Sequence, residues 1–165
     1  MQSIISYGII FWGNAADCYL NRAFKRALRN ICQVPPRTPC KQIFIDQKIL
    51  TLTSFYILET LCFVKRKPEI FNENLLNHKY NTRNKNNFKP PAHKTAKYEK
   101  SPHYMGVVMY NKLPKILKEE VNVKIFKYKI KEILVQKAYY NITEFLDDMS
   151  VFSAYQLNRA SLLLL

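Results

Sequence analysis

Apolar residues recur at helical spacing along most of this chain. Between Ala15 and Cys32, Leu20, Phe24, Ala27, Leu28 and Ile31 fall three or four apart on one side, and Arg22, Lys25, Arg26 and Arg29 fall on the other. This pattern predicts an amphipathic helix over 15–32. Gly13 and Asn14 in "WGN" precede it as a break and a candidate cap. "QVPPRTP" ends it, because consecutive prolines cannot continue a helix. Thr38 followed by Pro39 predicts a short helix over 39–47. Within "ILTLTSFYILETLCFVKRKP", Leu52, Phe55, Tyr56, Glu59, Cys62 and Phe63 predict a helix of about fourteen residues. Lysines and an arginine stand at its C-terminal end, where the dipole favours them, and Pro68 closes it. A short helix is expected to follow through "EIFNENLL".

The pattern lapses over 77–100, "NHKYNTRNKNNFKPPAHKTAKYEK". Aliphatic residues are scarce there, and Lys79, Arg83, Lys85, Lys89, Lys94, Lys97 and Lys100 face the single acid Glu99. So little apolar surface cannot offset the entropy of ordering, so a long basic loop is expected. Ser101 and Pro102 then supply a cap and first turn for a helix, although Gly106 and two valines leave a strand open. Val123, Phe126, Ile130, Ile133 and Leu134 line one face of a long helix over 122–140, with Lys124, Lys127 and Lys131 off that face. Asn141 and Glu144 have capping-box spacing for a last helix. The expected architecture is mainly α: a small helical bundle with a long basic, loop-like central segment. Its parts are a helical 1–76, the loop 77–100, a helical 101–147 and an unassigned tail, 148–165.

Charge changes this picture most. Lys and Arg number 26 against 12 acids, a formal net charge of +14. An imbalance of that size points to a polyanionic partner, or to a basic surface that a partner covers. Only three glycines occur among 165 residues, which argues against glycine-rich phosphate loops. Cys18, Cys32, Cys40 and Cys62 form no close pair, and His78, His93 and His103 do not complete one, so neither a metal site nor a cofactor is expected. The thiols read as free in a reducing compartment. "IISYGIIFW" lacks a basic leader and a cleavage site and is too short to span a bilayer, which predicts an intracellular chain, nuclear or cytoplasmic, without a membrane partner. On that reading the acceptor pattern "NIT" at Asn141 is idle.

One motif suggests catalysis. "FLDD", Phe145 to Asp148, has the aromatic-x-Asp-Asp form of a polymerase turn. Two-metal phosphoryl transfer needs those aspartates between strands, with a third carboxylate beside them. Here "NITE" starts a helix, and the upstream acids are scattered outside apolar strands. The expected reading is a helix end with two solvated aspartates and no catalysis.

Several stretches nevertheless occur in the order seen in a known family. They include "SYGIIFWGN", "KRALRNICQVPPRTPC", "ILTLTSFYILETL", "CFVKRKP", "YNTRNKNN", "EKSPHYMGVVMYNKLPKIL" and "FKYKIKEILVQKAYYNITEFL". Together they resemble the region C-terminal to the polymerase core in jockey-like non-LTR (LINE-type) retrotransposon proteins, over about residues 4 to 146. The resemblance implies a parent activity of RNA-directed DNA synthesis and a reverse transcriptase core as partner. The palm itself is not among these residues, so a truncated or degenerate copy without that activity is expected.

The candidate contacts with RNA or DNA follow from charge and aromatic placement. Arg22, Lys25, Arg26 and Arg29 could neutralise phosphates from one helix face. In the loop, Tyr80 could stack on a base, Arg83 and Lys85 could meet phosphate, and Asn81 could donate hydrogen bonds. Lys100 and Lys112 interleave with Tyr104 and Tyr110. The leading expectation is non-specific nucleic-acid binding. The alternatives are a helical module that docks on a polymerase core through "IISYGIIFW", and a gene fragment without function.

Overall fold

Thr51 and Pro68 bracket the most deeply buried helix among the described residues. The computed structural model of the protein describes residues 8–14, 18–71 and 87–149, and the regular structure among them is α-helical, without strands. In chain order the helices are α1 (Ile9–Trp12), α2 (Cys18–Ile31), α3 (Cys40–Asp46), α4 (Leu52–Arg66), α5 (Pro68–Phe71), α6 (Ala96–Glu99), α7 (Pro102–Lys112), α8 (Lys115–Lys118) and α9 (Val123–Lys137). A last helix, α10, covers 142–149. The tail from residue 150 onward, and residues 77–86 of the expected loop, lie outside the described residues.

The Thr51 hydroxyl caps α4 by accepting from the Ser54 N–H at 3.0 Å. Its sequence suggested one apolar face, but the structure buries it nearly all round: Phe55, Tyr56, Ile57, Leu58, Leu61, Cys62 and Val64 are all core. A helix apolar on every side belongs inside, and each large side chain so buried contributes roughly 1.5–3 kcal/mol. α1, α7 and α9 pack around it. From α9, Phe126, Ile130 and Leu134 face α4, while Val123 and Ile133 stay half-buried. Asn122 caps that helix, accepting from the Lys124 N–H at 2.9 Å. From α1, Ile9 is fully buried although Phe11 remains exposed, so the described part of the apolar N-terminus packs against its own chain.

α7 settles the open choice between helix and strand. Ser101 caps it, accepting from the Tyr104 N–H at 3.3 Å, and Pro102 opens its first turn. Gly106 sits where α7 crosses α4: a Cβ there would stand 2.9 Å from Val64 Cγ2 and 3.4 Å from Thr60 Cγ2. Alanine would recover about 1 kcal/mol of helix propensity, but overpacking a full core costs typically ~1–3 kcal/mol. Gly106→Ala is therefore expected to destabilise the protein in urea titration; a more stable variant would contradict the close crossing.

The second half of the expected loop is tied to the core. Phe88 is buried, and its backbone pairs with the Asn111 side chain in both directions, at 3.0 and 2.7 Å. The chain then forms the single turn of α6, which the sequence pattern gave no reason to expect. At the far end, the Thr51 and Thr53 hydroxyls donate to the carbonyls of Tyr139 and Tyr140, which fastens the α9–α10 corner to the start of α4. Asn141 and Glu144 serve the start of α10 as expected in kind. Asn141 accepts from the Thr143 N–H, and Glu144 accepts from the N–H of Tyr140 rather than that of Asn141.

Candidate nucleic-acid interface

α2 and α3 form a lobe with a small core of its own. Leu28, Cys40, Phe44 and Ala138 are buried there, with Phe24, Ile43 and Tyr140 packed against them. Phe44 holds the lobe to the body: its ring lies 5.6 Å from that of Phe24 and 6.2 Å, edge-on, from that of Tyr140. Over 18–48 the bases Arg22, Lys25, Arg26, Arg29, Arg37, Lys41 and Lys48 face the single acid Asp46. Asp46 accepts from Gln42 at 2.8 Å.

The four bases singled out on α2 have different duties. Arg22 and Arg26, one turn apart, are exposed. The Lys25 ammonium lies 3.9 Å from the centre of the Tyr140 ring, a cation–π contact that joins the lobe to the α9–α10 corner. The Arg29 Nε–H donates to the Thr38 carbonyl at 3.0 Å and braces the proline-rich connection. The apolar side of α2 also departs from expectation. Leu28 is buried, but Leu20 is 44% and Ile31 70% exposed. Periodicity reported which residues share a face, and α3 is too short to cover all of it.

Arg37, Lys41 and Lys48 of the same lobe are exposed too and were not singled out from the sequence. The signal was the excess of bases over the whole of 18–48 rather than any one helix face. Elsewhere some bases are neutralised: Lys127 pairs with Glu59 at 2.7 Å and Lys129 with Glu120 at 2.6 Å. Lys65 and Lys118 are consumed inside the fold. The Lys118 ammonium donates to Asn87 Oδ1 and to the Asn111 carbonyl, and that of Lys65 donates to the Lys118 carbonyl. Burial pulls both ammonium groups below the usual lysine range.

Tyr80, Asn81, Arg83 and Lys85 lie outside the described residues. Lys100 and Lys112 are exposed, and the Lys100 carbonyl accepts from the Asn14 side chain at 3.2 Å. Beside Lys100, His93 stacks on Tyr98 and meets Tyr104 edge-on, while its Nε2 lies 2.9 Å from Glu99. Tyr104 is half-buried and Tyr110 belongs to the core, so Tyr110 offers no stacking face.

"FLDD" lies within α10. Phe145 is buried, Asp147 is exposed, and Asp148 accepts from the Tyr139 hydroxyl at 2.8 Å with Lys137 3.1 Å away. Asp148 is thus a half-exposed corner brace, and of the two aspartates expected in solvent Asp147 is the exposed one. Among the described residues, no three His, Cys, Asp or Glu side chains form a group that could hold a metal ion. The Tyr139 hydroxyl and the Lys137 ammonium keep the Asp148 carboxyl below the usual carboxylate range. A depressed folded pKa contributes stability that is present above the unfolded value of about 3.9 and lost as pH falls through the folded one. Asp148→Asn is therefore expected to lower the melting temperature at pH 7 and to match the parent near pH 2. A difference that does not change with pH would refute the brace.

Cys32, Cys40 and Cys62 are free thiols, and burial pushes that of Cys62 up to about 11. Among the described residues no helix is long and apolar enough to cross a membrane. No protein-family model, curated protein or solved structure matches this chain.

Proposed function

We propose that the chain is a basic, non-catalytic accessory region that binds RNA or DNA through phosphate without reading sequence. In this reading it derives from a non-LTR retrotransposon reverse transcriptase, acts in the nucleus or cytoplasm, and held template or target strand near the active site of the intact enzyme. One observation carries the binding reading. Arg22 and Arg26 stand exposed on a packed lobe where seven bases face one acid. A rigid scaffold fixes the spacing of such charges, and each phosphate they neutralise releases counterions.

The test is placed on Arg22 and Arg26 because both side chains are exposed. Arg22→Glu with Arg26→Glu is expected to weaken binding of a labelled single-stranded RNA and flatten its salt dependence, with the fold retained by circular dichroism. Unchanged affinity and salt slope in the folded variant would remove α2 from the interface. Lys25 and Arg29 are poor choices for this test, because their loss also unfastens Tyr140 and Thr38.

A further inference from the structure

Behind its basic face, α2 borders an open apolar groove of about 280 Å3. Phe24, Leu28 and Ile31 form one wall, and Ile49, Leu52 and Phe55 form the other. Nucleic-acid binding through Arg22 and Arg26 makes no use of it. Ile31 at its rim is 70% exposed, and an apolar side chain left in water gains from being covered. The volume is at the small end for a ligand pocket, which typically holds ~300–1,000 Å3. It suits a few anchoring side chains better than an enclosed small molecule.

The groove's shape and charge narrow its occupant. From Phe24 to Ile31 the wall runs seven residues, about 10 Å or two helical turns. That length matches the i to i+7 anchors of an amphipathic helix laid alongside α2. Lys48 and Lys131 stand exposed among the lining residues, and no acid among the described residues lines the groove. A second copy of this groove would set lysine against lysine, and an apolar helix flanked by bases would meet the same repulsion. Nucleic acid would leave the apolar walls uncovered. We propose that the groove docks an amphipathic helix of a partner protein whose apolar stripe is flanked by aspartates or glutamates.

Three fluorescent peptides test this against the full chain: a leucine-striped helix flanked by glutamates, its scrambled version of equal charge, and the same stripe flanked by lysines. The glutamate-flanked helix is expected to bind at least tenfold more tightly than either control. Ile31→Asp, at an exposed position, is expected to remove that preference while the RNA salt slope stays as in the parent. Lys48→Glu with Lys131→Glu is expected to transfer the preference to the lysine-flanked helix. Equal binding of the scrambled peptide would reduce the effect to bulk charge and overturn the proposal, as would indifference to Ile31→Asp. Light scattering that shows a dimer dispersed by Ile31→Asp would assign the groove to a second copy and overturn it equally.

Discussion

Replacing Phe44 with alanine is expected to lower the unfolding free energy by about 3–5 kcal/mol. Phe44 is 1% exposed and is the largest fully buried side chain in the small α2–α3 core. Its ring touches Phe24 on one helix and Tyr140 at the opposite corner, so its loss leaves a cavity between lobe and body. Alanine cannot fill it, because the Thr51 and Thr53 hydroxyls fix the neighbouring backbone to α4. The lobe should suffer more than the body. Amide protection on α2 and α3 is expected to fall by more than that on α4, whose core of Tyr56, Leu58 and Leu61 does not depend on Phe44. A loss under about 1 kcal/mol would mean that the lobe is not held in this way.

Reversing Arg22 and Arg26 should have the largest effect on binding. For single strands, each phosphate contact adds about 0.7 to the magnitude of the salt slope. Removing two contacts should flatten the slope by about 1.4, and at 0.1 M salt this amounts to roughly a 25-fold loss of affinity. The loss should be similar for RNAs of different sequence, because phosphate contacts position a strand without reading bases. A loss confined to one sequence would point to base readout instead.

Much of the helical architecture was legible in the sequence, because its boundaries are set by local chemistry. Ser101, Asn122 and the prolines around 35–39 and 68 act within one turn of their own position, and the structure places helix ends beside them. Burial was harder to read. α4 carries an apolar face by periodicity, yet tertiary packing covers its other sides as well; Thr60 and Ser54 are polar in sequence and buried in the fold. The opposite happened on α2, where Ile31 fits the apolar stripe and stands in solvent. Periodicity reports which residues share a side, and only the neighbours decide whether that side is covered.

The candidate interface was legible as charge and illegible as geometry. An excess of bases over 18–48 is a property of composition, visible without a fold. That Lys25 lies over Tyr140 and that Lys118 is bound up with Asn87 depend on residues far along the chain, and that Arg29 reaches Thr38 depends on how the prolines turn the chain back. "FLDD" illustrates the same limit. Its helical setting followed from Asn141 and Glu144, whereas the partner of Asp148 became evident only when α9 and α10 met at a corner.

The central claim is that this surface meets phosphate, and the salt dependence of the unmodified protein tests it most directly. Binding of the full chain to a labelled single-stranded RNA should be measured between about 0.05 and 0.3 M salt, and the logarithm of affinity plotted against that of salt concentration. With about three to five of the lobe's bases engaged, a straight line of slope about −2 to −3.5 is expected. Undetectable binding at the lowest salt, or a slope near zero, would contradict the account.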